Sequence, residues 1–127
     1  MTGRASDRQR AADAAVQRAK AALARERLRN VFVATTIWYG AVELDPTHLV
    51  VWILLAGADD GELPTWASPE SAALGGMDPE LTQWMAHLRD LVRNEFRIAS
   101  WPEADHVTVL FDSEHRVAEG GGFWYFK

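Results

Sequence analysis

Two long segments without Lys, Arg, Asp or Glu constrain the fold of this chain more than any other feature of its sequence. Val31–Tyr39 (VFVATTIWY) is rich in β-branched and aromatic residues, and residues 48–56 (HLVVWILLA) are almost continuously apolar. Both compositions are typical of buried β-strands. Residues 45–47 (Asp-Pro-Thr) supply turn chemistry between them, and Gly40 predicts a bulge or an early strand end. The sequence therefore predicts an antiparallel hairpin at the centre of a sheet.

A long amphipathic helix is predicted over residues 79–97. Asp78 is a good N-cap, and Pro79 fits the first helical position. The residue before a proline prefers extended backbone, so the Trp101-Pro102 pair ends the helical region. The apolar positions recur at helical spacing and form a stripe broad enough to cover a sheet face: Leu81, Trp84, Met85, Leu88, Leu91, Val92 and Phe96.

The remaining elements are shorter and complete the predicted fold. Residues 68–70 (Ser-Pro-Glu) can open one short helical turn. Residues 106–111 (HVTVLF) and 123–126 (FWYF) are predicted strands, with a turn over residues 112–115 after the first. Paired strands with helices between the pairs predict an α+β fold, in which a four-stranded antiparallel sheet carries helices packed on one face.

Positive charge is concentrated at the start of the chain. Residues 1–30 hold eight of the thirteen Lys and Arg residues against three acids, whereas residues 31–127 carry a net charge of −10. A basic N-terminal helix is predicted over residues 7–29, with a thin apolar stripe. We therefore divide the chain into this helix (1–30) and an acidic domain (31–127). A thin apolar stripe gains little free energy from burial, so we expect the acidic domain to fold without the helix. The helix is then expected to pack against a partner, against another copy of itself, or only loosely against the domain. The stripe consists of Ala12, Val16, Ala19 and Leu23.

Composition excludes several classes of protein. The chain of 127 residues has the size of one domain and contains no cysteine, so it has neither a disulfide framework nor a thiolate zinc site. The N-terminus is charged and lacks the apolar region of a signal peptide. The longest apolar run, near residues 49–58, is too short to span a bilayer. These features predict a cytoplasmic protein without membrane association.

Few residues offer catalytic chemistry. The one cluster of histidines and carboxylates comprises His106, Asp112, Glu114 and His115, which could bind zinc or a similar ion. A polar hairpin turn is the favoured interpretation, because adjacent side chains point to opposite sides of an extended chain. The glycines at 120–122 precede no helix that could hold a phosphate, and no nucleophile motif is present. We predict neither an enzyme nor a cofactor.

Acidic loops with nearby tryptophans predict a protein-binding surface. Charge would steer the approach of a basic partner, and tryptophan would supply a desolvated anchor. The alternative is that the loops are acidic for solubility and the tryptophans are core residues. Direct nucleic-acid binding is disfavoured, because the acidic domain repels polyanions. The candidate partner-binding residues are Asp59, Asp60, Glu62, Trp66, Glu103 and Asp105.

Residues 49–117 resemble the YezG-type small immunity proteins, with which bacteria neutralise their own toxins. The resemblance rests on an apolar strand (VVWILLA), a long helix ending LRDLVRNEF, a Trp-containing link and a strand reading VTVLFDSEHRV. It implies an intracellular, non-catalytic binder of a co-encoded toxin. The alternative hypothesis is a small adaptor or assembly subunit, which forms homo-oligomers or joins a larger complex through its basic N-terminal helix.

Overall fold

The computed structural model describes residues 2–57 and 67–121, with side chains from Asp7 onward. Two short 3₁₀ turns, Pro46–His48 and Ala104–His106, connect longer elements. In chain order, the helices and strands of these ranges are α1 (Thr2–Leu23), β1 (Arg27–Leu28), β2 (Val31–Tyr39), β3 (Val50–Ala56), α2 (Pro69–Leu74), α3 (Pro79–Ile98), β4 (Thr108–Ser113) and α4 (Glu114–Glu119).

The strands form one mixed sheet in the order β1–β2–β3–β4. The first two pairs are antiparallel, whereas β3 and β4 are parallel, with Val51 opposite Val109 and Ile53 opposite Phe111. The predicted α+β class and four-stranded sheet are confirmed, but the predicted antiparallel arrangement of all strands is wrong. The helices α2 and α3 carry the chain back across the sheet, so β4 begins at the same end as β3. Parallel neighbours require a crossover of this kind.

The strand β1 replaces a predicted element. The strand predicted over residues 123–126 lies outside the described residues, and the fourth position in the sheet belongs to Arg27–Leu28 instead. These residues pair with Phe32 and Val31 across a tight turn in which Arg29 has a φ of 56°. The helix predicted over residues 7–29 therefore ends early, at Leu23. A two-residue strand has no periodicity that sequence analysis could detect.

The central hairpin follows its prediction closely. The strand β2 has the predicted bounds, and its pairing with β3 shifts at a bulge between Val33 and Thr35. Gly40 ends β2 with a φ of 134°, and a Cβ atom there would lie 2.1 Å from the carbonyl oxygen of His48. Only glycine fits so close an approach at this backbone conformation. The connection is then fixed by Asp45, whose carboxylate accepts a hydrogen bond from the backbone N–H of Thr47 (2.9 Å).

The long helix α3 also confirms its prediction. The carboxylate of Asp78 accepts a hydrogen bond from the backbone N–H of Glu80 (3.1 Å), and Pro79 occupies the first turn. At the other end, the N–H of Trp101 donates to the carbonyl of Phe96 (2.9 Å) and closes the helix. The predicted stripe faces the core, with all its members buried except the half-buried Leu91.

The helix α1 is part of the core, contrary to the expectation of loose packing. Its stripe joins the same buried cluster as α3 and the sheet. Three of the five enclosed residues of this helix are alanine. The helix backbone can therefore approach its neighbours closely, and even a thin apolar stripe becomes fully enclosed. The division of the chain at residue 30 remains a prediction. The enclosed residues, between 0 and 3% exposed, are Ala12, Ala15, Val16, Ala19 and Leu23.

The turn predicted over residues 112–115 is wrong. These residues form the end of β4 and the start of α4. The hydroxyl of Ser113 accepts a hydrogen bond from the backbone N–H of Arg116 (3.2 Å), which makes Ser113 the N-cap. Serine favours turns and helix caps alike, so the sequence alone did not distinguish the two.

Candidate protein-binding surface

The link between α3 and β4 holds the two described members of the predicted partner-binding set. Glu103 and Asp105 are both exposed, and Glu103 has a φ of 51° at the start of the 3₁₀ turn. The Nε atom of Arg97 on α3 donates a hydrogen bond to Asp105. This bond lowers the pKa of Asp105 below its ordinary value, and the charge of Arg97 adds to the effect. Both carboxylates therefore face solvent, and the charge of Arg97 offsets that of Asp105.

The aromatic residues beside this link belong to the core. Trp101 is 7% exposed and packs edge-to-face against Phe96, with 5.4 Å between the ring centroids. Phe111 on β4 is completely buried. Neither ring can anchor a partner without unfolding. The candidate anchor for a partner therefore remains Trp66, the aromatic member of the predicted partner-binding set.

Asp59, Asp60, Glu62 and Trp66 lie outside the described residues. The described residues on either side are Gly57, after the carboxyl end of β3, and Ala67, which exchanges two backbone hydrogen bonds with Phe111 (2.9 and 2.8 Å). Glu103 and Asp105, by contrast, precede the amino end of β4. The union of the two acidic groups in one surface remains a prediction.

A broad groove lies beside the acidic link and was not anticipated from the sequence. It has a volume of about 610 Å³ and is open to solvent. Its wall is held in place by Arg8, whose guanidinium donates to the carbonyl of Val42 (2.8 Å), and by Gln9, which donates to Glu43 (2.8 Å). The groove depends on the docking of α1, which no local sequence signal reveals. It is lined by Asp7, Arg8, Ala11, Glu43, Ala99, Ser100, Trp101 and Pro102.

The predicted cluster of histidines and carboxylates does not come together. His106 precedes β4 and His115 follows it, so the strand separates them. Asp112 is completely buried and accepts hydrogen bonds from Arg116 (2.7 Å) and from the backbone N–H of Ser113 (2.7 Å). Within residues 2–57 and 67–121, no group of three or more His, Cys, Asp or Glu side chains could hold a metal ion.

Comparisons with protein-family models, curated proteins and solved structures found no match to this chain. The function is therefore argued from the surface itself. Of the helices in the described part of the chain, none is long and apolar enough to cross a membrane.

Proposed function

We propose that this protein is an immunity-like inhibitor, which binds a co-encoded basic toxin in the cytoplasm and neutralises it. The observation that carries the proposal is the exposed pair of acidic residues Glu103 and Asp105 beside an open groove. Pro102, which lines that groove, directly precedes Glu103. Exposed acidic residues next to a broad, open groove suit a protein segment better than an enclosed small molecule.

The overall charge distribution supports the same function. Residues 31–127 carry a net charge of −10, which attracts a basic protein over a Debye length of about 8 Å at physiological ionic strength. Toxins that degrade nucleic acid are commonly basic around their active sites. An acidic inhibitor can occupy such a groove and compete with the substrate. The resemblance to YezG-type immunity proteins agrees with this interpretation.

Co-expression tests the proposal directly. A toxin gene next to the gene for this protein is expressed with and without it, and cell survival is measured. We expect survival only when both proteins are present, together with a stable complex of the two on gel filtration. A toxin that kills equally well in the presence of this protein would refute the proposal.

The alternative function is an assembly subunit that uses the basic N-terminal helix. The apolar stripe of α1 is buried within the chain, so such contacts would have to be electrostatic. Among the described residues, neither Lys20 nor Arg25 has a carboxylate within ion-pair distance, so both cations are available to an acidic neighbour. An assembly that dissociates as salt rises, in the absence of any toxin, would favour this function.

A further inference from the structure

In residues 2–57 and 67–121, one edge of the sheet has almost no neighbouring strand. The strand β2 pairs with β3 over Phe32–Tyr39, but β1 covers only Val31 and Phe32 on the other side. Within the part of the chain that the structure describes, residues 33–38 therefore have a strand on one side only. Alternate residues of such a strand direct their backbone N–H and C=O groups outward, ready to pair with another strand.

Apart from one bulge, the sequence of this edge lacks the features that usually prevent pairing. Residues 33–38 (VATTIW) contain no charge and no proline, and the bulge at Ala34 is the single irregularity. Side chains along the edge are half-buried apart from the buried Thr36. Natural proteins protect open edges with lysine, proline, short strands or a covering element, because an unprotected edge recruits other strands.

The helix α1 runs beside this edge without filling the space next to it. Near its middle, the carboxylate of Asp13 accepts a hydrogen bond from the indole Nε1 of Trp38 (2.6 Å). Toward its end, Lys20 and Ala24 line a recess of about 300 Å³ together with residues 33–36. Helix and strand are therefore antiparallel, and the recess leaves room beside the strand.

This arrangement gives the edge opposite charges at its two ends. Arg27 lies at the end near Val33, with its guanidinium 5.0 Å from the ring centroid of Phe32. Lys20 lies further along the edge and lines the recess together with residues 33–36. Asp13 lies at the other end, beside Trp38. Arg10, one turn before Asp13, is itself paired with Asp7 (2.8 Å).

We propose that this edge pairs with the same edge of a second copy of the chain, as two antiparallel β2 strands related by a two-fold axis at Thr35. This symmetry places the basic end of each edge against the acidic end of the other, with Arg27 facing the Asp13 of the second copy. It also brings threonines together at the centre, a favourable cross-strand pair. A uniformly acidic or basic strand would match only one end of the edge. Two four-stranded sheets thereby become one continuous sheet.

Cysteine cross-linking tests the contact, because the chain contains no cysteine of its own. Cysteines that face each other across a two-fold axis lie close enough to form a disulfide. We expect Thr35→Cys to form a disulfide-linked dimer under mild oxidation. Thr108→Cys, on the exposed start of β4, is the matched control and should stay monomeric on a non-reducing denaturing gel. Equal cross-linking of the two variants, or none at Thr35→Cys, would overturn the proposal.

Sedimentation of the unmodified chain and of two charge reversals supplies a second, independent measurement. We expect a concentration-dependent dimer, whose dissociation constant rises about three- to thirtyfold in Arg27→Glu, since two surface ion pairs are lost for each dimer. Arg25→Glu reverses an exposed charge nearby that does not line the recess, and should leave the constant within about twofold. A monomer at every concentration, or equal effects of the two reversals, would refute the arrangement. Neither measurement involves a toxin, so both test the dimer separately from the proposed function.

Discussion

Individual side chains of the same type occupy very different environments in this protein. Leu88 on α3 has no exposed surface, whereas Leu74 at the end of α2 is 90% exposed. The helical spacing of α3 predicted the burial of Leu88, because that helix has a long stripe. The six residues of α2 are too few to define a stripe, so the environment of Leu74 depended on tertiary structure.

We expect Leu88→Ala to reduce the free energy of unfolding by about 2–5 kcal/mol, because it removes buried methyl groups and leaves a cavity. Leu74→Ala is the matched control and should change it by less than about 0.5 kcal/mol. Both values come from urea denaturation followed by tryptophan fluorescence. A loss below about 0.5 kcal/mol for Leu88→Ala would contradict the packing of α3.

Replacing Arg97 by glutamine should raise the pKa of Asp105 toward its ordinary value, because the hydrogen bond that depresses it is lost. In the parent chain, a depressed pKa stabilises the fold at neutral pH, and this contribution disappears as the pH falls through the folded-state pKa. Carboxyl-carbon NMR titration measures the change. The pKa of Asp78, which is lowered chiefly by Arg29, serves as the internal control and should stay constant. An unchanged pKa for Asp105 would exclude Arg97 as the cause.

Elements with strong local signals were predictable from the sequence, and elements defined by their neighbours were not. The helix α3 has an N-cap residue, a proline in its first turn and a long apolar stripe. The strand β2 is rich in β-branched and aromatic residues. By contrast, β1 exists only because the chain turns back onto β2. The direction of β4 depends on how α2 and α3 cross the sheet, which no single segment encodes.

The burial of α1 leads to a clear expectation for truncation. Deleting residues 1–24 would expose the core surface that Val16 and Leu23 now cover, so we expect the cooperative thermal transition to disappear. Calorimetry measures this transition. The point variant Leu23→Ala should keep the transition but lower the free energy of unfolding by about 2–5 kcal/mol. A truncated chain that still unfolds cooperatively would restore the view of α1 as peripheral.

The candidate acidic residues of the molecule come from two segments of the sequence, of which the structure describes Glu103 and Asp105. The sequence identified both segments from charge alone but could not show that Asp105 is paired with Arg97. It also could not distinguish a buried tryptophan such as Trp101 from an exposed one, because tryptophan suits both environments.

Charge reversal can test the two acidic groups separately. We expect the triple variant Asp59→Lys, Asp60→Lys, Glu62→Lys and the double variant Glu103→Lys, Asp105→Lys each to slow association with the toxin. The effect should fall mainly on the on-rate and shrink as salt rises, because exposed charges steer the encounter. Stopped-flow measurements at two salt concentrations give these rates, with Glu114→Lys on α4 as the control. If neither variant slows association at low salt, the contact lies elsewhere.

The parallel pairing of β3 with β4 has a consequence for how the chain folds. Val50 meets Thr108 only after α2 and α3 have been made and packed, so this contact forms late and slows folding. Until then, one side of the run VVWILLA has no neighbouring strand, and the run carries no charge or proline to discourage aggregation. The same strand that forms the centre of the finished sheet is therefore open to misassembly while the protein is being synthesised.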